Sequence, residues 1–374
     1  MTRPMTLFES VPNFSEGRDS AVIDRLAGAA AAGGVHVLDR SFDPDHHRAV
    51  LSLAGCDPLD GLFAAIALAV ETIDLDRHAG VHPRRGAADV VPIVPLGSGS
   101  LAEAAELARA LGERIWAELR VPVYFYGAAG QSTLAQVRSA NPPPFDLGDR
   151  PHPTAGVVTV GARPLLVAYN LLLAGVSPVE AAALAARLRE SGGGVRGVQA
   201  LVFAVAGGVQ LSMNLNRPLE TTPAVAREEA RRRLPAGGSI VGEEVVGLCP
   251  AGAAAGSAAA DGLLLEARLA SAAARAAAAE CGRRGTDSEE MRRLGERLAA
   301  EADALAALGS ADALDGAERS AALRRVLRAG RLDLAEPDLL LEVAARGFRD
   351  ALGASVSRAF PERLAALDRR LAEG

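Results

Sequence analysis

Hydrophobic positions in the first hundred residues switch between a period of two and a helical period. Short β-branched runs alternate apolar and polar residues, which is typical of half-buried strands, whereas Ala- and Leu-rich runs repeat every three or four positions, which is typical of helices. The predicted elements are a strand at 7–11, a helix at 20–32, strands at 35–39 and 47–54, a helix at 58–73 and a strand at 88–95. This β-α-β-β-α-β order is that of a ferredoxin-like subdomain.

The same order of elements returns after a Pro-rich loop at 141–153. A helix at 101–119, a strand at 122–125 and a short helix at 132–139 first extend the N-terminal part. The second series comprises a strand at 165–171, a helix at 178–190, strands at 197–205 and 209–214, a helix at 222–233 and a strand at 240–248. We therefore expect an α+β fold with two ferredoxin-like (βαββαβ) subdomains, at residues 1–150 and 151–250.

Beyond Pro250 the chain becomes rich in Ala, Leu, Arg and Glu, and no segment alternates like a strand. Helices are predicted at 263–281, 288–308, 317–329 and 337–372. We expect residues 251–374 to form an all-helical C-terminal tail that serves packing or oligomerisation.

Net charge, the length of apolar runs and the counts of cysteine and lysine argue against several classes of protein. The net charge of −6 argues against general binding to nucleic acid or to an anionic membrane, and no apolar run is long enough to span a bilayer. Three distant cysteines give no disulfide framework, so we expect a protein of the reducing cytoplasm. All 40 basic residues are arginine, which excludes catalysis by a lysine side chain.

Two short polar segments carry most of the candidate chemistry, and both are predicted to be loops. Residues 74–86 follow a helix and precede a strand, and they include His78, His82 and three arginines. Residues 43–48 lie between two strands and include two adjacent histidines. If the sheet brings the two segments together, four histidines and several arginines converge. Such a cluster would suit proton transfer and the binding of carboxylates.

Other interpretations of these segments stay open. The spacing of His78 and His82 could suit a metal ion, but Gly80 and Pro83 break the helix that such a site needs. A solvated structural loop is the remaining alternative. The chain contains no dinucleotide-binding glycine motif, no phosphate-binding loop and no nucleophile elbow.

Seven segments resemble signatures of the glutamate formiminotransferase family. They are 11–18, 77–90, 121–127, 160–163, 168–170, 210–215 and 243–248. They occur in order, with family-like spacing, and the resemblance covers about residues 5–250. It implies two ferredoxin-like subdomains with folate held in a cleft or tunnel between them. It also implies transfer of a formimino group from N-formiminoglutamate to N5 of tetrahydrofolate, a step of histidine degradation.

The resemblance assigns roles to particular residues. The catalytic histidine of the family corresponds to His82. Apart from the resemblance, Asp39 lies at the end of a predicted strand and is a candidate for orienting an imidazole or a substrate amine, with a strand-end cap as the alternative. Arg48 and Arg84 are candidates for the carboxylates of the donor. The folate-contacting stretch consists of Gly161, Ala162, Arg163, Pro164, Leu165, Leu166, Val167, Ala168, Tyr169 and Asn170. Arg163 within it would bind a folate carboxylate or a pterin oxygen.

Four positions differ from the family pattern. Ala79 and Pro164 replace the usual lysines, Val81 replaces an acidic residue, and His47 replaces an asparagine. These differences leave the donor open, so that formylglutamate is an alternative. A non-catalytic folate-binding or assembly protein of the same fold is the alternative from another class.

The expected partners are small molecules, with tetrahydrofolate as co-substrate and no metal. We expect a homodimer. In vertebrate members this domain is fused to a helical cyclodeaminase, but residues 252–374 contain no histidine. The tail is therefore expected to lack that activity, and a separate cyclodeaminase would complete the pathway.

Overall fold

The protein is represented by a computed structural model that describes residues 5–284, 288–329, 332 and 334–359. The described residues separate into two compact units. The first comprises those within 1–165 and 203–210, and the second those within 166–202 and 211–374. The tail thus belongs to the same unit as the second sheet, while the division into domains at residues 150 and 250 stays a prediction.

Seven strands form the sheet of the first unit: β1 (Leu7–Ser10), β2 (Asn13–Phe14), β3 (His36–Asp43), β4 (Arg48–Gly55), β5 (Ala88–Leu96), β6 (Val123–Gly127) and β7 (Val158–Ala162). The short strands β1 and β2 both lie between β4 and β5 and pair antiparallel with each. They replace the single predicted strand at 7–11. β3 pairs with the other side of β4, and β7 and β6 continue the sheet beyond β5.

Helices α1 (Ser20–Ala32), α2 (Leu59–Thr72) and α3 (Leu101–Leu119) contribute buried side chains to the core of this unit, and a short α4 (Leu134–Val137) follows β6. The Asp19 carboxylate caps α1 by accepting from the N–H groups of Ala21 and Val22. Apolar residues of α1 and α2, such as Leu26 and Ile66, are almost fully buried. The resulting strand order matches a ferredoxin-like unit, so this part of the prediction is confirmed.

Strand β7 was not predicted. It runs parallel to both β5 and β6, so Val158–Ala162 completes the first sheet although it follows the Pro-rich loop. Parallel strands need long connections, and the partner of β7 in β5 lies about seventy positions earlier in the chain. Local patterning carries no signal for such a pairing.

The second unit repeats the ferredoxin order in a four-stranded sheet. Its strands are β8 (Val167–Ala174), β9 (Val198–Val205), β10 (Gly208–Leu215) and β11 (Ser239–Val246), and its helices are α5 (Pro178–Leu188) and α6 (Pro223–Arg233). The strand order β11-β8-β10-β9 is the one expected when two β-α-β units interleave. α5 starts with a Ser177–Glu180 capping box followed by proline, as the sequence favours.

The tail is helical, as predicted. It contains α7 (Ala251–Ala254), α8 (Leu265–Arg284), α9 (Glu289–Ala306), α10 (Ala313–Ala329) and α11 (Ala335–Ala359). α8 packs against α9 and α11, with many of its alanines buried. The predicted end of the last helix, at 372, lies outside the described residues. None of the described helices is long and apolar enough to cross a membrane, and the three cysteines form no disulfide.

Candidate functional site

Two glycines allow neighbouring loops to approach the β3–β4 turn. A Cβ on Gly80 would lie 2.3 Å from the carbonyl oxygen of His46, and a Cβ on Gly17 would lie 2.3 Å from that of Asp43. The N–H of Val81 donates to the Asp45 carbonyl (3.2 Å). Only a residue without a side chain permits such approaches. The loop before β5 is therefore held directly against the β3–β4 turn.

The four histidines of these segments come together as two pairs. His47 and His78 stack with ring centroids 4.1 Å apart. The rings of His46 and His82 are 5.8 Å apart, and both contact Phe203 at the tip of the β9–β10 hairpin, at 5.2 and 5.5 Å. Within the described part of the chain, no group of three His, Cys, Asp or Glu side chains is arranged to hold a metal ion.

His82 has two polar contacts at one ring nitrogen. Its Nδ1 lies 2.7 Å from Nη1 of Arg48 and 2.8 Å from the carbonyl oxygen of Pro83. Burial and the positive charges of Arg48 and Arg138 lower the pKa of His82 to about 3. The imidazole is therefore neutral at physiological pH, and its two nitrogens act as one donor and one acceptor.

A buried carboxylate organises the charges around His82. Asp89 in β5 is 1% exposed, and it accepts hydrogen bonds from the Arg85 N–H (2.8 Å), Arg48 (3.1 Å) and Arg138 (2.7 Å). Burial alone would raise the pKa of Asp89, but these three donors outweigh it and hold the pKa below its ordinary value. Nε of Arg48 donates to Asn13 (2.8 Å). Burial lowers the pKa of Arg48 to about 10, so its charge persists at neutral pH.

The hairpin tip supplies a polar contact as well as an aromatic wall. Nε2 of His46 lies 2.8 Å from the Gln210 amide oxygen, an acceptor, which places a proton on that nitrogen. The Ala206 N–H donates to the Asp45 carboxylate (3.3 Å). Residues far along the chain thus close one side of the His46–His82 pair.

The second histidine pair fixes the loops. His47 has a left-handed backbone (φ 48°), and its Nδ1 accepts from the Gly17 N–H at 3.0 Å. Nε2 of His78 donates to the His47 carbonyl (2.8 Å), and Arg84 donates to the His78 carbonyl. Burial lowers the pKa of both His47 and His78. This pair therefore supports the turn that positions His82.

Asp39 does not lie at a strand end, as the sequence suggested, but in the middle of β3, opposite Ser52 in β4. A strand-end cap is thus ruled out for it by the length of β3. Asp89, which sequence reasoning passed over, is the carboxylate that contacts the arginine beside His82. Asp89 lies inside the 77–90 segment, so that segment held a usable signal. Gln210 likewise opens the 210–215 segment, although sequence reasoning assigned it no role at the site, and nothing in the sequence marked Arg138 or Phe203.

The predicted folate-contacting stretch runs from β7 into β8. Arg163 follows β7, its N–H donates to the Ile93 carbonyl (3.2 Å), and its side chain donates to the Pro164 carbonyl (2.9 Å). Pro164 is exposed, whereas Val167 and Tyr169 are fully buried in the second unit. The Tyr169 hydroxyl donates to Glu243. Buried members of this stretch therefore shape the fold, and its role in binding folate stays a prediction.

Comparison with known proteins agrees with this architecture. The formiminotransferase domain, N-terminal subdomain family matches residues 7–163. The chain is 38% identical over 273 residues to the glutamate formimidoyltransferase of Thermoplasma acidophilum, covering 66% of this chain and 89% of that protein. It is also 38% identical over 270 residues to that of Streptococcus pyogenes serotype M1, with the same coverage.

Longer relatives carry a second activity in their names. The formimidoyltransferase-cyclodeaminase of Rattus norvegicus is 34% identical over 276 residues, which is 65% of this chain but 50% of the rat protein. The match to the shorter relatives spans nearly their whole length. This chain therefore belongs to the glutamate formimidoyltransferase family.

Proposed function

We propose that this protein transfers the formimino group of N-formiminoglutamate to N5 of tetrahydrofolate, giving glutamate and 5-formiminotetrahydrofolate. The main observation that supports this proposal is the neutral imidazole of His82, which contacts Arg48 next to the buried Asp89 carboxylate. Membership of the family supplies the reaction, and a neutral imidazole next to fixed arginines is the acid/base centre that the reaction needs.

The proposed chemistry moves one proton twice. The N5 amine attacks the formimino carbon, a C–N bond forms, and the N5 proton passes to His82. The tetrahedral intermediate then collapses as the bond to the glutamate nitrogen breaks, and His82 returns the proton to that nitrogen. Holding both substrates in line supplies much of the rate.

The contacts of Nδ1 set what His82 can do at Nε2. Arg48 can only donate, so its 2.7 Å contact favours an unprotonated Nδ1 and a protonated Nε2, a form that cannot accept a proton at Nε2. When Nδ1 instead donates to the Pro83 carbonyl (2.8 Å), Nε2 presents a lone pair and can accept the N5 proton. The resulting imidazolium keeps its Nδ1 proton on that carbonyl and returns the other proton from Nε2, so the Pro83 contact supports both halves of the transfer.

The remaining site roles are proposals of the same kind. Arg48 and Arg84 would act on the donor carboxylates, Asp39 on an imidazole or amine, and Gly161 to Asn170, with Arg163, on folate. Arg48 already donates to Asn13 and Asp89, which makes it a rigid positive charge. Tetrahydrofolate enters as co-substrate.

We also propose that the protein is a homodimer of the cytoplasm and passes its product to a separate cyclodeaminase. Support for the last point comes from relatives named for both activities in one longer chain. The absence of disulfides among the three cysteines supports a reducing compartment. Sedimentation of the purified protein tests the dimer.

The test of the function is a direct assay with two donors. Purified protein is incubated with tetrahydrofolate and either N-formiminoglutamate or N-formylglutamate, and the folate product is identified by mass. Formimino transfer with little formyl transfer supports the proposal. Preferred formyl transfer, or folate binding with no transfer from either donor, would overturn it.

A further inference from the structure

The charges beside His82 do not balance. Among the residues that the structure describes, Asp89 is the single carboxylate paired with Arg48 and Arg138, so the cluster carries one excess positive charge. The side chain of Asp89 is 2% exposed and that of Arg48 is 13% exposed. An excess charge in a largely desolvated place is costly unless an anion is bound there.

Arg138 is the member of the cluster that is turned toward solvent. Its side chain is 24% exposed, and among the described residues Asp89 is its only hydrogen-bond partner, through one Nη atom. A guanidinium has five N–H groups arranged to bind a carboxylate with two of them. Arg138 therefore retains donors for a ligand, whereas Nε and Nη1 of Arg48 are engaged by Asn13, His82 and Asp89.

The backbone around Arg138 is fixed. Arg138 is the C-terminal cap of α4, and α4 begins with a capping box in which Thr133 and Gln136 bond each other's N–H groups. The Arg85 side chain donates to the Ser139 carbonyl (2.6 Å), which ties this segment to the loop that carries His82. The capped helix α4 and the hydrogen bond from Arg85 to Ser139 thus hold the backbone of Arg138 in a fixed position relative to His82.

We propose that Arg138 is a specificity-determining residue that binds one carboxylate of the donor, with Asp89 fixing its guanidinium. The inference rests on the proposed function, because it assigns the donor to the same site. It adds a residue to that site, and it gives Arg48 the role of a fixed neighbour of His82 in place of the main carboxylate ligand.

The electrostatics of His82 fit this assignment. The charged or titratable groups that face it are Arg48 from β4, Arg138 after α4, Asp89 from β5 and His46 from the turn, while Phe203 and Gln210 are uncharged. A bound carboxylate would offset the two arginines that lower the pKa of the imidazole. Donor binding would therefore make His82 a stronger base for the step in which it accepts the N5 proton.

The experiment compares Arg138→Gln with Arg114→Gln as the matched control. Glutamine keeps a donor for Asp89, so the fold should survive, and circular dichroism checks this. Arg114 is a 31% exposed helical arginine that forms ion pairs with Asp60 and Glu118 outside the site. Each protein is assayed with N-formiminoglutamate and with its two monoamides, in which one or other carboxylate is a carboxamide. Glutamate binding is measured by calorimetry without folate.

We expect Arg138→Gln to lower kcat/KM for N-formiminoglutamate about 10- to 100-fold, as for the loss of a charged hydrogen-bonding pair, and to weaken glutamate binding similarly. It should have little effect on the one monoamide that lacks the recognised carboxylate. Arg138→Lys should restore part of the loss. Arg114→Gln should match the wild type.

Equal losses with the dicarboxylate and both monoamides, or unchanged glutamate binding, would overturn the role of Arg138. Failure of the proposed function looks different. In that case the wild-type protein would turn over none of the donors, although glutamate binding would still distinguish Arg138→Gln from Arg114→Gln.

Discussion

At the scale of single residues, the site is built from side chains whose ordinary charge states are enforced or suppressed by neighbours. Asp89 is kept ionised by donors that outweigh its burial, and Arg48 stays charged although buried. His82 is kept neutral by burial and by those same arginines. A neutral imidazole has one nitrogen with a free lone pair, so it can accept the proton of an attacking amine.

Replacing His82 should remove the acid/base centre without removing the folate site. We expect His82→Ala to lower turnover about 10²- to 10⁴-fold, the usual effect of losing such a group, with folate affinity nearly unchanged. His78→Ala should have a smaller effect, because His78 supports the loop through the His47 carbonyl. Steady-state kinetics and folate titration give both numbers. Turnover of His82→Ala within a few-fold of the wild type would exclude the assigned role.

The lowered pKa of His82 also predicts how stability depends on pH. Because the pKa falls from 6.5 to about 3 on folding, the unfolded chain takes up a proton at His82 between these values and the folded chain does not. The free energy of unfolding should therefore decrease as pH falls below about 6.5. Denaturant titrations of the wild type and His82→Gln between about pH 7.5 and pH 5 test this, since the variant should lose part of the slope. Identical slopes would show that His82 titrates normally.

At the scale of elements, strand pairing in the first sheet brings the two polar segments together. The turn after β3 and the loop before β5 are about thirty residues apart in sequence, yet antiparallel pairing of β4 with β1 and β2, and of these with β5, brings them to one edge. The amphipathic patterns were sufficient to predict the two ferredoxin-like series and the helical tail. They also led us to expect the histidine cluster if the sheet formed.

What the patterns missed depends on long-range pairing. β7 joins the first sheet by parallel pairing with β5, and Phe203 and Gln210 reach His82 and His46 only through the β9–β10 hairpin. The alternating pattern predicts a strand that ends at Asp39, whereas β3 continues to Asp43. Arg138 is one arginine among forty basic residues, and only its contact with Asp89 distinguishes it.

The contact between the turn and the loop can be tested at Gly80. A methyl group there would meet the His46 carbonyl at 2.3 Å, so Gly80→Ala should push the loop away from the turn and displace His82. We expect turnover to fall at least about tenfold, since small displacements of catalytic groups are costly. Gly28→Ala is the control, because no atom other than the adjoining backbone of α1 itself lies within 4 Å of the added carbon. Full activity of Gly80→Ala would mean that the close approach has no catalytic role.

At the scale of the whole molecule, the tail is a well-packed part of the second unit. Arg324 of α10 forms ion pairs with Asp338 (2.9 Å) and Glu342 (2.6 Å) of α11. Glu266 at the start of α8 is buried and accepts from the Ala251 N–H (2.8 Å), and burial raises its pKa to about 7. These contacts join helices to one another and describe a structural bundle.

We therefore expect transfer without ammonia release. Residues 252–374 contain neither histidine nor lysine for a cyclisation site. With both substrates supplied, 5-formiminotetrahydrofolate should accumulate, and ammonia should rise no faster than in the uncatalysed solution. Folate absorbance and an ammonia electrode record the two. Ammonia in proportion to protein, abolished by removing residues from Asp261 onward while transfer persists, would assign catalysis to the tail.

The hairpin that carries Phe203 and Gln210 has a consequence for synthesis on the ribosome. Residues 1–165 are synthesised before this hairpin, so a sheet formed from them alone would hold His46 and His82 with one side open to water. Phe203, which contacts both rings, is synthesised about forty residues later, as part of β9. We therefore expect the nascent chain to become competent for acid/base chemistry only after the β9–β10 hairpin has been synthesised and has packed against these rings.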